Sequence, residues 1–231
     1  MTHSTTTTTN LQNNPIVAHS FLILLCAPVH DELTEYTSLL LENLPALGGR
    51  TILNKFTGPL TYQQLLANLS VNPDDTEIAV IFSGHGEYSS LQGPGAHPGA
   101  SNYSEAQSSF YDEDSLHLGP TLMFAACCNA AVELGESIRL KTLGRTFIGF
   151  DRTIGFVKKG VYADWWVKVL HRVASAMLRD TNVNDLRLLV EQAYADALRY
   201  FDPSSGRKNR YGLMMNAYLR KQLESINLIK T

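Results

Sequence analysis

Two short stretches of this chain place chemically able side chains at the ends of apolar runs. Ser83-Gly84-His85-Gly86 follows IAVIF, and Cys127-Cys128-Asn129 follows TLMFAA. An imidazole and a thiol that meet can carry out nucleophilic catalysis, the ring taking the thiol proton and the thiolate attacking a carbonyl carbon. A free thiol titrates near ~8.5, and an imidazolium neighbour or a helix N-terminus lowers that to about 3.5–7.5. The stretch after Cys127 is able to form a helix, so both influences are expected there. Glycines on either side of His85 let the backbone turn sharply and approach a substrate carbonyl. The amides of Gly86 and Cys127 are then candidate oxyanion donors, each worth about 3 kcal/mol in such an arrangement. The residues alone do not separate Cys127 from Cys128, since both stand at the same strand–helix junction.

For these groups to meet, IAVIF and TLMFAA must be neighbouring strands, and the rest of the pattern supports a sheet that allows it. Phe21 to Val29 is a continuous apolar run that suits a strand buried on both faces. Helical spacing follows over Asp31 to Leu47, a second strand is expected at Thr51 to Phe56, and Leu60 to Leu69 reads as a helix with Thr61 available as its cap. Further strands are expected at Ile78 to Phe82, Thr121 to Ala126 and Thr146 to Phe150. Val161, Trp165, Val169, Val173 and Met177 recur every fourth residue, and Leu186, Leu189, Val190, Ala193 and Ala197 form a second stripe. A last helix is expected over roughly 213–228. Strands alternating with helices give an α/β fold with a mostly parallel sheet covered on both faces. In such sheets, functional residues gather at the carboxyl ends of the strands.

Residues 17–231 read as one domain behind a polar, disordered tail at 1–16. Residues 87–119 interrupt the pattern with a Gly-, Ser- and Pro-rich stretch that has neither helical nor strand period. That length suits a mobile loop or functional insertion more than an ordinary connection.

Composition bounds the partners. The 231 residues are 44% hydrophobic and 18% charged with a net charge of −3, which gives no electrostatic reason to expect nucleic acid or an anionic membrane. The run Phe21 to Ala27 is too short to span a bilayer and lacks the flanks of a signal peptide. Three cysteines, two of them adjacent, make a poor disulfide framework, so a reducing, cytoplasmic setting is expected.

Other residues have plainer readings. Cys26 is a core thiol, Trp165 and Trp166 are packing, and Asp112-Glu113-Asp114 is a solvated loop face. Arg207, Lys208 and Arg210 form a basic turn. His97 and His117 form no close ligand pair with each other or with the cysteines, so neither metal nor cofactor is expected. The Cys-x₅-Arg loop of a tyrosine phosphatase is absent, as are the Gly-x-Ser-x-Gly elbow, the P-loop and the dinucleotide-binding glycine pattern.

The pair IAVIFSGHGE and LMFAACCNAA resembles the motifs of caspase-fold (clan CD) cysteine peptidases, especially bacterial caspase-like and CHAT-type domains. RTFIGFDRTI and GVYADWWVKVLHRVA resemble the strand and long helix that follow the family's cysteine, and the likeness covers Phe21 to Tyr200. The resemblance implies a three-layer α/β/α sandwich and a cysteine endopeptidase, with His85 as general base and Cys127 as nucleophile. Cys128 falls on a variable position, and Asn129 replaces the usual Ser or Thr. Ala125 stands where basic-specific metacaspases carry Asp, which leaves the P1 preference open. The strand ending at Phe150 lines the S1 pocket in such folds, so Asp151 is a candidate to receive a P1 Arg or Lys; its plainer reading is a turn cap. Implied partners are a protein or peptide substrate and a regulatory protein, in bacterial defence or cell death. The competing reading is a catalytically silent caspase-fold module that binds a partner.

Overall fold

The computed structural model describes residues 22–26, 52–56, 78–88, 90–92, 109–111, 121–141, 146–158, 160–179, 182–205 and 209–230. Its frame is a six-stranded sheet in the order β2-β1-β3-β7-β8-β9. The strands are β1 (Leu22–Cys26), β2 (Ile52–Phe56), β3 (Ile78–Ser83), β7 (Thr121–Ala126), β8 (Thr146–Phe150) and β9 (Ile226–Lys230). The first five run parallel, and β9 lies antiparallel to β8 at one edge. The fold is therefore mixed α/β with a mostly parallel sheet.

The pleat sorts the side chains of the central strands into two cores. Ala79, Ile81, Leu122, Phe124, Ala126, Ile148 and Phe150 face one layer, formed by α2 (Val161–Met177), α3 (Val183–Tyr200) and α4 (Arg210–Ser225). Val80, Phe82, Met123, Ala125, Cys127 and Phe147 face the other, where α1 (Leu134–Lys141) contributes Leu134 and Ile138. Both faces of a parallel strand are buried, which is why these strands read as unbroken apolar runs. On α2 the buried stripe is Trp166, Val169, Leu170, Val173 and Met177, whereas Val161, expected in that stripe, is exposed. Asn182 and Asn209 cap α3 and α4, accepting from the amides of Asp185 at 3.0 Å and Gly212 at 2.8 Å.

Two expectations need correction. The irregular stretch at 87–119 contains order: β4 (His85–Glu87), β5 (Ser90–Gln92) and β6 (Ser109–Tyr111) form a separate three-stranded antiparallel sheet. Strands of 3 residues are too short to display a period of two in sequence. The last helix also ends at Ser225, and Ile226–Lys230 is a strand. No Gly or Pro marks that change, and the β-branched residues of INLIK pair with β8 instead of continuing the helix. The expected tail at 1–16 and the expected helices at 31–47 and 60–69 lie outside the described residues. Among the described residues, no helix is long and apolar enough to cross a membrane.

Candidate active site

The two motifs meet because their strands are neighbours. β3 and β7 pair in parallel with Ser83 opposite Ala126, so the chain leaves both strands at the same level of the carboxyl edge. β8 lies on the other side of β7 and ends at Phe150, which brings Asp151 to that edge as well. The sheet order β3-β7-β8 thus gathers His85, Cys127 and Asp151 from three separate parts of the sequence.

Cys127 continues the pleat of Met123 and Ala125, so its thiol enters the core beneath α1 and is 0% exposed. The backbone of Gly86 lies against it: a Cβ at Gly86 would stand 2.5 Å from Cys127 Sγ and 2.8 Å from the Cys128 carbonyl oxygen. Only glycine permits that approach. His85 is half-buried at the start of β4, immediately before the residue that covers the sulfur.

The electrostatics differ from expectation. Burial, and after it the neighbouring Cys128, pushes the Cys127 thiol well above the ordinary thiol range. The anticipated depression by a helix N-terminus fails for a local reason. Residues after Cys127 form bends and turns, and α1 does not begin until Leu134. The amides of Glu133 and Leu134, at the start of that helix, both donate to the Tyr88 carbonyl at 3.0 Å. The positive end of the helix is therefore engaged by the Tyr88 carbonyl that follows β4.

Cys128 is the more accessible of the two free thiols among the described residues, and half-buried. Burial raises its titration too, while a hydrogen bond with the Ile154 backbone acts in the opposite sense. Asn129 follows with φ 58°, in the left-handed region where a short polar side chain is tolerated better than a β-branched one. That backbone requirement is a physical reason for Asn at this position. The Asn129 amide donates to the Arg152 carbonyl at 3.3 Å and the Ala131 amide to the Phe150 carbonyl at 3.0 Å. The turn after the cysteines is thereby stitched to the segment after β8.

Asp151 is half-buried in that segment, with β9 as its neighbour. Its amide donates to the Ser225 carbonyl at 2.9 Å, and its Oδ2 accepts from Asn227 Nδ2 at 3.1 Å. The other oxygen, Oδ1, is buried without a hydrogen bond and stands 3.5 Å from Arg152 Nε. Asn227 and Gln222, both of which grip this segment, carried no signal in the sequence: one sits in the unexpected strand and the other inside an ordinary amphipathic helix. Among the described residues no group of three or more His, Cys, Asp and Glu could hold a metal ion, and His97 and His117 lie outside them.

No family model, curated protein or solved structure matches this chain.

Proposed function

We propose that this chain is a caspase-like cysteine endopeptidase with an α/β/α sandwich of that family's kind. The observation that carries the reading is the in-register pairing of β3 with β7, which delivers the His85 and Cys127 motifs to one point on the sheet edge. His85 takes the Cys127 proton, and the thiolate attacks a peptide carbonyl carbon. The amides of Gly86 and Cys127 stabilise the resulting oxyanion. His85 returns its proton to the leaving amine, and water then hydrolyses the acyl-enzyme. A thiol that is fully buried and held neutral does not react, so the described conformation is a resting one. Activity requires the backbone of Gly86 to lift from the sulfur.

Asp151, whose Oδ1 has no hydrogen-bond donor, receives a basic P1 side chain of a protein or peptide substrate. A regulatory protein that triggers the shift fits a cytoplasmic enzyme of defence or cell death. The burial of Cys127 favours a second reading, a silent caspase-fold module that binds a partner.

Acyloxymethyl-ketone probes with P1 Arg, Lys, Asp or Leu separate the two. The peptidase reading expects an adduct on Cys127 that is lost in Cys127→Ala and His85→Ala, retained in Cys128→Ala, and fastest with basic P1. Asp151→Asn should slow the basic probes at least ~10-fold and the Leu probe little. An adduct that ignores His85 would sink the dyad.

A further inference from the structure

The segment after β8 carries both Asp151 and the Ile154 backbone that bonds Cys128, so whatever holds this segment sets the outer wall of the proposed site. Part of the grip comes from α4. Gln222 is 1% exposed, and its Nε2 donates to the Gly155 carbonyl at 2.6 Å. One turn earlier, Tyr218 packs on the same residue: a Cβ at Gly155 would lie 3.1 Å from its ring. The Gln222 Oε1 accepts from the hydroxyl of Tyr194, a fully buried residue of α3, at 3.4 Å. A buried carboxamide needs both its donor and its acceptor satisfied. Here that need links α3, α4 and the segment in one chain of bonds.

Residues 151–158 are neither helix nor strand. Inward, toward the cysteine turn, they supply the Arg152 carbonyl to the Asn129 amide and the Ile154 backbone to Cys128. Outward, Asp151 is fixed by Ser225 and Asn227, and Gly155 by Gln222. Ser225 and Asn227 hold the start of the segment, and its middle is held by the Gln222 bond to Gly155 together with Phe156, which stacks on Trp166 of α2 with ring centroids 4.1 Å apart.

We infer that Gln222 is a positioning residue, whose buried carboxamide holds the 151–156 segment against the Cys127–Cys128 turn. What the segment contributes to catalysis rests on the peptidase reading; the contact itself does not. Gln222→Glu keeps the size of the side chain and loses the donor to Gly155, whereas Tyr194→Phe keeps that donor and removes only the longer bond.

Hydrogen exchange followed by mass spectrometry on the full chain tests this directly, with Gln222→Leu, Gln222→Glu and Tyr194→Phe beside the parent. Amides of 152–157 should exchange about 10-fold faster in both Gln222 variants, with α2 and α3 unchanged. Cys128 should react with iodoacetamide roughly 3-fold faster in the same two proteins, because its cover has loosened. Tyr194→Phe should leave the segment within about 2-fold of the parent. If Gln222→Leu does not fold, Gln222→Glu decides. Unchanged exchange in the segment overturns the inference, and so does faster exchange spread evenly over α2, α3 and α4. Neither readout needs peptide cleavage, so an absence of probe labelling in the parent would remove the peptidase reading and leave this result standing.

Discussion

The Gly86 backbone rests on the Cys127 sulfur so closely that no other residue fits between them without movement. A Cβ at position 86 would meet Cys127 Sγ at 2.5 Å, the Cys128 carbonyl oxygen at 2.8 Å and Cys127 Cβ at 3.0 Å. Gly86→Ala should therefore destabilise the fold by about 1–3 kcal/mol, the usual cost of overpacking a tight site. Cys127→Ala removes the nearest of the three atoms. The double variant should recover part of that loss, with a coupling of roughly 0.5–1 kcal/mol between the sites. Urea unfolding of the four proteins measures the cycle, and strict additivity would mean that Gly86 and the sulfur do not touch in solution.

The order of thiol reactivity follows from burial. Cys128 is half-buried and Cys127 is not exposed at all. A small neutral alkylating agent should modify Cys128 at least ~10-fold faster than Cys127 in the native protein, and both equally in denaturant. Peptide mapping after timed quenching reads the ratio. Faster modification of Cys127 in the absence of any substrate-like probe would show that the Gly86 cover is already open.

Stability should fall in alkali. Both thiols titrate above their ordinary range in the folded chain, chiefly through burial. Above about pH 8.5 the unfolded chain releases thiol protons that the folded one retains. The folded state then binds more protons than the unfolded state, so the free energy of unfolding declines as pH rises, by up to about 1.4 kcal/mol per pH unit for each fully buried group. Tyr194 is also pushed upward by burial, but it adds to the decline only above pH ~10. Urea unfolding between about pH 8.5 and 10 should show a shallower decline for Cys127→Ala than for the parent. Equal slopes would mean that Cys127 titrates normally in the folded protein.

Asn129 is the one non-glycine residue with positive φ among the described residues, at 58°. Asn129→Gly should be neutral or slightly stabilising, because glycine adopts this conformation without strain. Asn129→Val should cost about 1–2 kcal/mol, since a β-branched side chain clashes with the backbone there. Denaturant midpoints at constant slope would report both. A Val variant as stable as the parent would show that the turn relaxes out of the left-handed region.

What the sequence determined by itself was the type and order of the main elements among the described residues. The apolar runs ending at Phe82, Ala126 and Phe150, and the stripes of α2 and α3, are local patterns, and burial on two faces or on one writes them directly into residue spacing. That logic also brought His85, Cys127 and Asp151 to strand ends before any strand had a neighbour. Tertiary structure decided the rest. Pairing of β3 with β7 and of β7 with β8 is a long-range choice that no local window contains. The same pairing turned the pleat of β7 so that Cys127 points into the core under α1, which raised the thiol's titration where proximity to a helix had suggested a fall. β9 and the Gln222 bond to Gly155 were invisible for the same reason. A short edge strand and a buried carboxamide acquire meaning only from partners far away in sequence, 76 residues for Asn227 with Asp151 and 67 for Gln222 with Gly155. Residue spacing records which face of an element is buried; it does not record what lies on the other side.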